Sequence, residues 1–278
     1  MLPLLSFAIE LASQAGALLM DYFEGEFEID TKSSSTDLVT SADRAAEALI
    51  IAAIRDRYPH HAILAEESGA VTQASNTDSL GQLWIIDPLD GTTNFAHSLP
   101  HFCVSIAAWD QEGGRIGVIH DPVRNETFFA ERGGGAFLES PRGPHRRLAI
   151  RQTTELHRAL LATGFSYKKA TDSGPSLREF SALVPQLRGI RRAGSAALDL
   201  AYVAAGRLDG YWERSLCPWD TAAGAILVQE SGGCVRTISG DEWRPEYPSI
   251  LAASPSLLPT LASALREAGN GNAPTPRS

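Results

Sequence analysis

Cysteine is scarce in this chain. The 278 residues include only Cys103, Cys217 and Cys234, and none of the three has the close spacing of a metal-binding pair. An odd number of widely spaced cysteines argues against a disulfide framework and favours free thiols in a reducing compartment. We therefore expect a cytoplasmic protein that uses its cysteines neither for cross-links nor for metal.

Positive charge is also in short supply. The chain carries 24 Lys and Arg against 33 Asp and Glu, a net charge of −9, and it has no basic run. Proteins whose main partner is nucleic acid carry clustered positive charge, so we expect no nucleic-acid partner. An acidic enzyme that acts on an anionic substrate would need bound cations to reverse the local field.

Long apolar runs are missing as well. The apolar N-terminus has no basic flank and is interrupted by Glu10, so it predicts no signal peptide. No run reaches the roughly 20 apolar residues of a membrane span, and we expect no membrane partner. Leu4, Ala8 and Leu11 instead recur at the spacing of an amphipathic helix. With 44% hydrophobic residues, the chain can bury a large core as one domain or two lobes.

The most informative stretch is segment 84–95, Trp-Ile-Ile-Asp-Pro-Leu-Asp-Gly-Thr-Thr-Asn-Phe. Its first residues predict a short buried strand, which ends at Asp87 because Pro88 disfavours helical geometry there and turns the chain. Asp87, Asp90 and the carbonyl of Leu89 are hard oxygen ligands of the kind that Mg²⁺ accepts. The plain alternative is an ordinary turn, since these are turn residues.

Gly91 and Thr92 predict the first turn of a short helix directly after these acids. Glycine lets a backbone approach a ligand closely, and free amides at a helix N-terminus attract phosphate. The segment therefore predicts a place where phosphate and a divalent cation meet.

Further acids stand at the ends of other predicted elements. Asp43 follows Thr40 by three residues, in the first turn of a predicted helix, where an acid stabilises the helix dipole. Glu66 and Glu67 follow a short strand, and only one of two neighbours there faces a given side. Asp220 begins another helix, where capping is the structural alternative.

The complete string 84–95 resembles the signature of the inositol monophosphatase family, whose members are Mg²⁺-dependent, Li⁺-sensitive phosphatases of small phosphate monoesters. The similarity continues through His97, Pro100 and Val-Ser-Ile at 104–106. Trp-Asp-x-Ala-Ala-Gly at 219–224, followed by Glu-Ser-Gly-Gly, resembles the second signature of the family. The resemblance covers nearly the whole chain.

The resemblance implies a role for each site residue. The implied metal ligands are Glu66, Asp87, Leu89, Asp90 and Asp220. The implied catalytic residues, which orient or deprotonate a water, are Thr92, Asp43 and Glu66. The implied substrate-binding residues are Asp90, Gly91, Thr92, Gly194, Ser195, Ala196, Glu213 and Asp220. Two or three Mg²⁺ ions per site are implied, and Lys32 is implied to lie nearby, with a solvated lysine as the alternative.

Mutual repulsion supports the metal interpretation of the acidic residues. A like-charged pair about 4 Å apart costs about 4 kcal/mol at an effective dielectric of 20. Clustering four carboxylates is therefore destabilising unless cations fill the site.

The fold implied by the resemblance is α/β, a layered αβαβα sandwich of the inositol monophosphatase and fructose-1,6-bisphosphatase type. Residues 1–143 are predicted to form an N-terminal α+β lobe, residues 144–268 a C-terminal α/β lobe, and residues 269–278 a disordered tail. Glycine pairs between apolar segments predict an antiparallel meander in the first lobe. Strands and helices are predicted to alternate in the second lobe, with one helix over residues 177–187 and another capped at its start by Ser195. A homodimer is also implied.

The function that the resemblance favours is hydrolysis of myo-inositol 1-phosphate to inositol and phosphate by a metal-activated water. One alternative is a phosphatase of the same fold for histidinol phosphate, fructose-1,6-bisphosphate or 3′-phosphoadenosine nucleotides. Thr93 disfavours the nucleotidases and many histidinol phosphatases, whose patterns have lysine or another residue there. The other alternative is a regulatory or binding protein on this scaffold.

Overall fold

Two large β-sheets organise the chain. A computed structural model describes residues 3–25, 27–31, 38–72, 82–165 and 169–269. The strands are β1 (Ile29–Thr31), β2 (Leu38–Thr40), β3 (Ala62–Ala65), β4 (Gly69–Thr72), β5 (Leu83–Asp90), β6 (Cys103–Asp110), β7 (Gly113–Asp121), β8 (Glu126–Glu131), β9 (Gly135–Ser140), β10 (Gly143–Arg147), β11 (Leu160–Thr163), β12 (Gly189–Arg191), β13 (Gly210–Arg214), β14 (Cys234–Arg236) and β15 (Ser249–Ala253). The helices are α1 (Pro3–Phe23), α2 (Ser41–Arg57), α3 (Thr92–Ala96), α4 (Lys169–Leu183), α5 (Ala196–Ala204), α6 (Pro218–Glu230) and α7 (Leu258–Gly269), with 3₁₀ turns at Leu156–Arg158 and Val184–Gln186.

The two sheets differ in the direction of their strands. The first has eight strands in the order β10-β9-β8-β7-β6-β5-β3-β4. Neighbouring strands from β5 to β10 are antiparallel, and β6 to β9 are the strands of the predicted meander. The second has five strands in the order β12-β11-β13-β15-β14, with β11 parallel to both β12 and β13. The predicted meander and the alternation of strands and helices are therefore confirmed. A short ribbon of β1 and β2 stands apart.

Helices separate and flank the sheets. α1 and α2 pack on one face of the eight-stranded sheet, and α6 packs on its other face together with α5. α5 and α6 also contact the five-stranded sheet, while α4 and α7 pack together on its far side. The order of layers is therefore helix, sheet, helix, sheet, helix, which confirms the predicted layered α/β fold.

Local sequence explains how the elements that carry the site begin. Thr40 caps α2: its side chain accepts hydrogen bonds from the Ala42 and Asp43 amides, and Asp43 accepts from the Thr40 amide. Ser195 caps α5 in the predicted way, by accepting from the Leu198 amide. These caps satisfy N–H groups that have no partner within the helix.

Three predicted boundaries differ from the structure. β5 does not stop at Asp87 but continues to Asp90. α4 begins at Lys169, upstream of the helix predicted at 177–187, and accommodates Pro175. β10 pairs with β9 up to Arg147, so the first sheet runs past the lobe boundary predicted at residue 143. The division into lobes itself stays a prediction.

α1 has the length and apolar composition of a membrane span, the only such helix among the described residues. Its buried side chains, including Leu4, Ala8 and Leu11, pack in the core against the first sheet. Lys32 and the predicted C-terminal tail from residue 270 onward lie outside the described residues.

Candidate functional site

The first two predicted metal ligands lie at an irregularity in β5. Asp87 pairs with Ser105 of β6 and Asp90 with Cys103, so three residue steps on β5 match two on β6. An extra residue in one strand bends it and re-aims the side chains. Pro88 lies inside this bulge, where a missing amide is tolerated. The strand therefore continues, and Asp87, Leu89 and Asp90 all line one cleft.

The cleft encloses about 570 Å³ of space, part of it open to solvent, and lies where the carboxyl ends of β3, β5, β11 and β13 meet the N-termini of α5 and α6. Its lining residues are Glu66, Asp87, Leu89, Asp90, Gly91, Thr92, Thr163, Gly164, Phe165, Arg192, Gly194, Ser195, Ala196, Asp199, Glu213, Leu216 and Asp220. The carboxyl ends of strands are the usual ligand side of α/β sheets.

Asp90 links the two halves of the molecule. Its Oδ2 accepts hydrogen bonds from the Ser195 hydroxyl at 2.5 Å and the Ala197 amide at 2.7 Å, both at the start of α5. Burial raises the pKa of Asp90 to about 6, although these two bonds act to lower it. One carboxylate oxygen of Asp90 thus joins the end of β5 to the start of α5.

The charges of neighbouring acids act on both Asp87 and Asp220. Burial, and then the charges of Glu66 and Asp90, raise the pKa of Asp87 well above its usual value. Burial and the charges of Asp90 and Glu66 do the same for Asp220. Asp87 is also hydrogen-bonded to Glu66, and two carboxyl groups that meet in this way need a shared proton or a cation between them.

Neighbouring bonds hold these acids in place. The Glu67 amide donates to the buried Glu47 carboxylate at 2.8 Å, which fixes the turn that carries Glu66. Asp220 accepts from the Cys217 amide at 2.7 Å, so it caps α6 as well as lining the cleft. The structural and functional interpretations of Asp220 are thus compatible.

Asp43 does not line the cleft but lies directly behind it. Its Oδ1 accepts a hydrogen bond from the Thr92 hydroxyl at 3.0 Å, and its Oδ2 accepts from the Thr40 hydroxyl at 2.6 Å and the Thr40 amide at 2.7 Å. The Thr92 hydroxyl is also 3.0 Å from the Leu89 carbonyl oxygen. A single hydroxyl proton serves only one of these two acceptors at a time.

Glu213 lies on the wall of the cleft formed by the second lobe. The Tyr211 hydroxyl donates to its Oε2 at 2.5 Å. Burial raises the pKa of Glu213 to about 7, against the lowering effect of Tyr211 and of the Arg192 charge. An added Cβ at Gly164 would lie 2.1 Å from Glu213 Oε2, so glycine is needed there for the carboxylate to lie across the β11 backbone.

Every predicted ligand and substrate residue is therefore at the cleft, and Asp43 is in contact with it through Thr92. Their roles stay predictions. Six further residues line the cleft without having been predicted: Thr163, Gly164, Phe165, Arg192, Asp199 and Leu216. Asp199 carried a usable signal, since it lies one helical turn after the predicted cap Ser195.

The donor set fits a hard divalent cation. Carboxylates of Glu66, Asp87, Asp90 and Asp220 and the Leu89 carbonyl share one cleft and are all oxygen donors. As the described side chains stand, no three His, Cys, Asp or Glu groups are close enough to enclose a metal by themselves. An arrangement with few protein ligands per ion suits Mg²⁺, which usually keeps several waters.

Comparison with known proteins agrees with this site. The inositol monophosphatase family profile matches residues 1–270. The chain is 44% identical over 271 residues to Nus factor SuhB of Pseudomonas aeruginosa, covering 96% of this chain and 97% of the relative. It is 43% identical over 261 residues to inositol-1-monophosphatase of Synechocystis, covering 94% and 88%.

Solved structures agree as well. The inositol monophosphatase of Anabaena superposes with a TM-score of 0.81 at 41% identity, covering 95% of each chain. The extragenic suppressor protein suhB of Bartonella henselae gives a TM-score of 0.86 at 37% identity, covering 95% of this chain and 98% of that one. Fold and site thus define a metal-dependent phosphatase scaffold, and the chain belongs to the inositol monophosphatase family, as predicted.

Proposed function

We propose that this protein is a Mg²⁺-dependent phosphatase that hydrolyses myo-inositol 1-phosphate to inositol and phosphate. One observation carries the proposal: four carboxylates, the Thr92–Asp43 hydrogen bond and Glu213 meet at a single cleft between the two sheets. Each group has a distinct use in hydrolysis of a phosphate monoester, a reaction that is extremely slow without a catalyst.

The acids would hold two or three Mg²⁺ ions, through Glu66, Asp87, Asp90, Asp220 and the Leu89 carbonyl. Bound Mg²⁺ supplies charge neutralisation and a more acidic water. Asp43 holds the proton of Thr92, so the Thr92 oxygen is free to accept a hydrogen bond from the attacking water. The amides of Gly91 and Thr92 donate to the phosphate, and Glu213 accepts from a hydroxyl of the alcohol.

A substrate panel tests the proposal. Phosphate release is measured from inositol, histidinol, fructose and adenosine phosphates with Mg²⁺, and again after exhaustive chelation. We expect inositol 1-phosphate to have the highest kcat/KM and EDTA to abolish turnover. Full activity after chelation would contradict the metal assignment. A preference for another phosphate would keep the reaction and replace the substrate with one of the alternatives of the same fold.

The variant Asp90→Asn tests whether the Asp90 carboxylate is a metal ligand. It keeps the size of the side chain but removes a ligand charge, so we expect turnover to fall by orders of magnitude. The folded protein should remain, with a smaller rise in melting temperature on adding Mg²⁺, because a ligand stabilises only the state that binds it. Wild-type turnover in this variant would place the site elsewhere.

A second candidate function is a partner-binding role that does not depend on hydrolysis. Three relatives at 40–44% identity that are named Nus factors favour it. A pocket of about 630 Å³, part of it open to solvent, lies at the opposite end of the five-stranded sheet from the cleft and is lined by Arg151, Arg158 and Arg188. Such a pocket suits an anionic partner. The expectation of no nucleic-acid partner therefore stays an untested prediction.

Complementation separates the two candidate functions. A Pseudomonas aeruginosa strain that lacks its SuhB is given this chain, its Asp90→Asn variant or its Arg158→Ala/Arg188→Ala variant. Rescue by Asp90→Asn but not by the arginine variant supports a partner-binding role that is independent of hydrolysis. The reverse pattern supports the phosphatase role alone.

The remaining proposals concern inhibition, assembly and location. Li⁺ inhibition in the millimolar range follows from membership of the family. A homodimer likewise follows from membership of the family; sedimentation that gives a monomer would contradict it. Fractionation of cells tests the cytoplasmic location.

A further inference from the structure

Asp199 is a buried acid that no predicted role explains. It lies in the first turn of α5, its residue is 3% exposed, and it lines the cleft beside Glu213. Among the described residues no side chain or amide donates a hydrogen bond to its carboxylate. Burial, and then the charges of Glu213 and Asp90, raise its pKa well above the usual value, while the exposed Arg192 acts in the opposite direction.

A purely structural role does not account for Asp199. The α5 dipole favours an acid in the first turn, but such an interaction contributes little compared with the cost of burying a carboxylate that lacks a partner. The amides at the start of α5 are occupied elsewhere: those of Ala197 and Leu198 donate to Asp90 and Ser195. A buried polar group without a partner needs one from outside the protein.

Asp209 is a useful comparison, because it is a buried aspartate whose carboxylate has hydrogen-bond donors within the protein. It is similarly buried, but its carboxylate accepts from the Thr153 hydroxyl at 2.5 Å and from the Leu160 amide at 2.7 Å, and it lies outside the cleft. The two buried aspartates thus differ in their partners: Asp209 has protein donors and an ion pair with Arg151 at 3.9 Å, and Asp199 faces the cleft without a donor among the described residues.

We propose that Asp199 is a substrate-binding residue that, together with Glu213, forms an acidic pair accepting hydrogen bonds from two donors on the alcohol part of the substrate. The proposal rests on the proposed phosphatase function and deepens it. Ionised carboxylates accept and do not donate, so the pair selects alcohols with at least two donors within reach, such as a polyol ring, over esters with none. Asp199 takes no part in the chemical step.

Steady-state kinetics of Asp199→Asn test the proposal, with inositol 1-phosphate and 4-nitrophenyl phosphate as substrates. Asparagine keeps the size but loses the charge, so KM for inositol 1-phosphate should rise about tenfold or more. The values of kcat for both substrates, and KM for 4-nitrophenyl phosphate, which has no donor on its alcohol part, should change less than about twofold. Proportional losses on both substrates would overturn the proposal, because Asp199 would then support the metal site.

Thermal melts give an independent readout. Asp199→Asn should keep or raise the melting temperature, since asparagine avoids the cost of burying a carboxyl group that has no hydrogen-bond partner in the protein. The control Asp209→Asn should lower the melting temperature and leave the ratio of the two KM values unchanged. A fall in melting temperature for Asp199→Asn without a change in KM would show a structural residue and refute the assignment.

A double variant and the activity of the wild-type protein provide two further tests. In Asp199→Asn/Glu213→Gln, the effects on KM for inositol 1-phosphate should be non-additive if both residues bind one substrate; strict additivity with unchanged selectivity would contradict the pair. Hydrolysis of neither substrate by the wild-type protein with Mg²⁺ would refute the proposed function itself. Hydrolysis of 4-nitrophenyl phosphate with indifference to Asp199→Asn would refute only the role of Asp199.

Discussion

At the scale of single residues, the hydrogen bonds of the Thr92 hydroxyl are the most informative feature. Its hydroxyl has two acceptors at 3.0 Å, Asp43 Oδ1 and the Leu89 carbonyl. Asp43 keeps its acceptor capacity because its Oδ2 is held by both donors of Thr40. In the proposed function, the Thr92 proton would keep Asp43 as its acceptor if a cation engaged the Leu89 carbonyl, and the Thr92 oxygen would then orient a water.

Thr92→Ala should accordingly lower kcat by about 100-fold or more while changing KM little, since a positioned proton-transfer group contributes about 10²–10⁴-fold. Thr93→Ala is the matched control: Thr93 is half-buried in the same short helix and does not line the cleft. Steady-state kinetics on one substrate measure both variants. Equal and small effects would mean that Thr92 does not act on the water.

At the scale of elements, the cap of α2 joins stability to activity. Thr40 both caps the helix and holds Asp43. Thr40→Ala should cost about 1 kcal/mol in the free energy of unfolding, a typical value for a lost N-cap. It should also lower kcat, because Asp43 then has fewer bonds to fix its position.

Urea unfolding and kinetics measure this pair of effects. The control is Thr260→Ala, an exposed threonine inside α7, where alanine is the better helix former and stability should hold or rise slightly. If Thr40→Ala lost stability and kept full turnover, the link from the cap to the site would be wrong.

The end of β11 gives a second prediction at this scale. An added methyl group at Gly164 would overlap the Glu213 carboxylate, whose atoms are its three nearest neighbours. A flexible side-chain end is able to shift, so Gly164→Ala should change the melting temperature little but raise KM for inositol 1-phosphate roughly tenfold by displacing an acceptor of the substrate. Gly174→Ala on α4, where an added Cβ would make an ordinary contact with the Arg178 guanidinium at 3.5 Å, is the control for the loss of a glycine. An unchanged KM would argue that Glu213 does not bind the alcohol.

At the scale of the whole molecule, the acidic cleft couples stability to pH and Mg²⁺. Burial raises the pKa of Asp90 from 3.8 to about 6, and burial together with neighbouring acids also raises the pKa values of Asp87 and Asp220. The folded chelated protein therefore binds more protons than the unfolded chain above pH 4, and its stability falls as pH rises through the raised values. For Asp90 alone the difference corresponds to about 3 kcal/mol.

With EDTA, the melting temperature should consequently be higher near pH 5.5 than near pH 7.5. Asp90→Asn is the control, and this difference between the two pH values should be smaller in the variant than in the wild-type protein. Mg²⁺ should raise the melting temperature more at pH 7.5, because the metal competes with protons for the same oxygens. A Mg²⁺ effect that is equal at both pH values would mean that these carboxylates are not the ligands.

The sequence by itself was sufficient to predict the family and the layered fold, and every ligand that it predicted lies in the cleft. This information is local: caps such as Thr40 and Ser195 and the composition of segment 84–95 specify geometry within a few residues. The prediction that Pro88 ends β5 at Asp87 was wrong, because pairing with β6 continues through a bulge to Asp90. Edge pairing also decided β10, whose sequence has no strand pattern.

Only the tertiary structure decided which acids act together and which stand alone. Asp199 and Asp209 look alike in the sequence, since each is an aspartate among apolar residues. Their difference arises from donors 56 and 49 positions away, Thr153 and Leu160, which reach Asp209 and not Asp199. Hydrogen-bond satisfaction of a buried charge depends on long-range packing, so no window of sequence contains it.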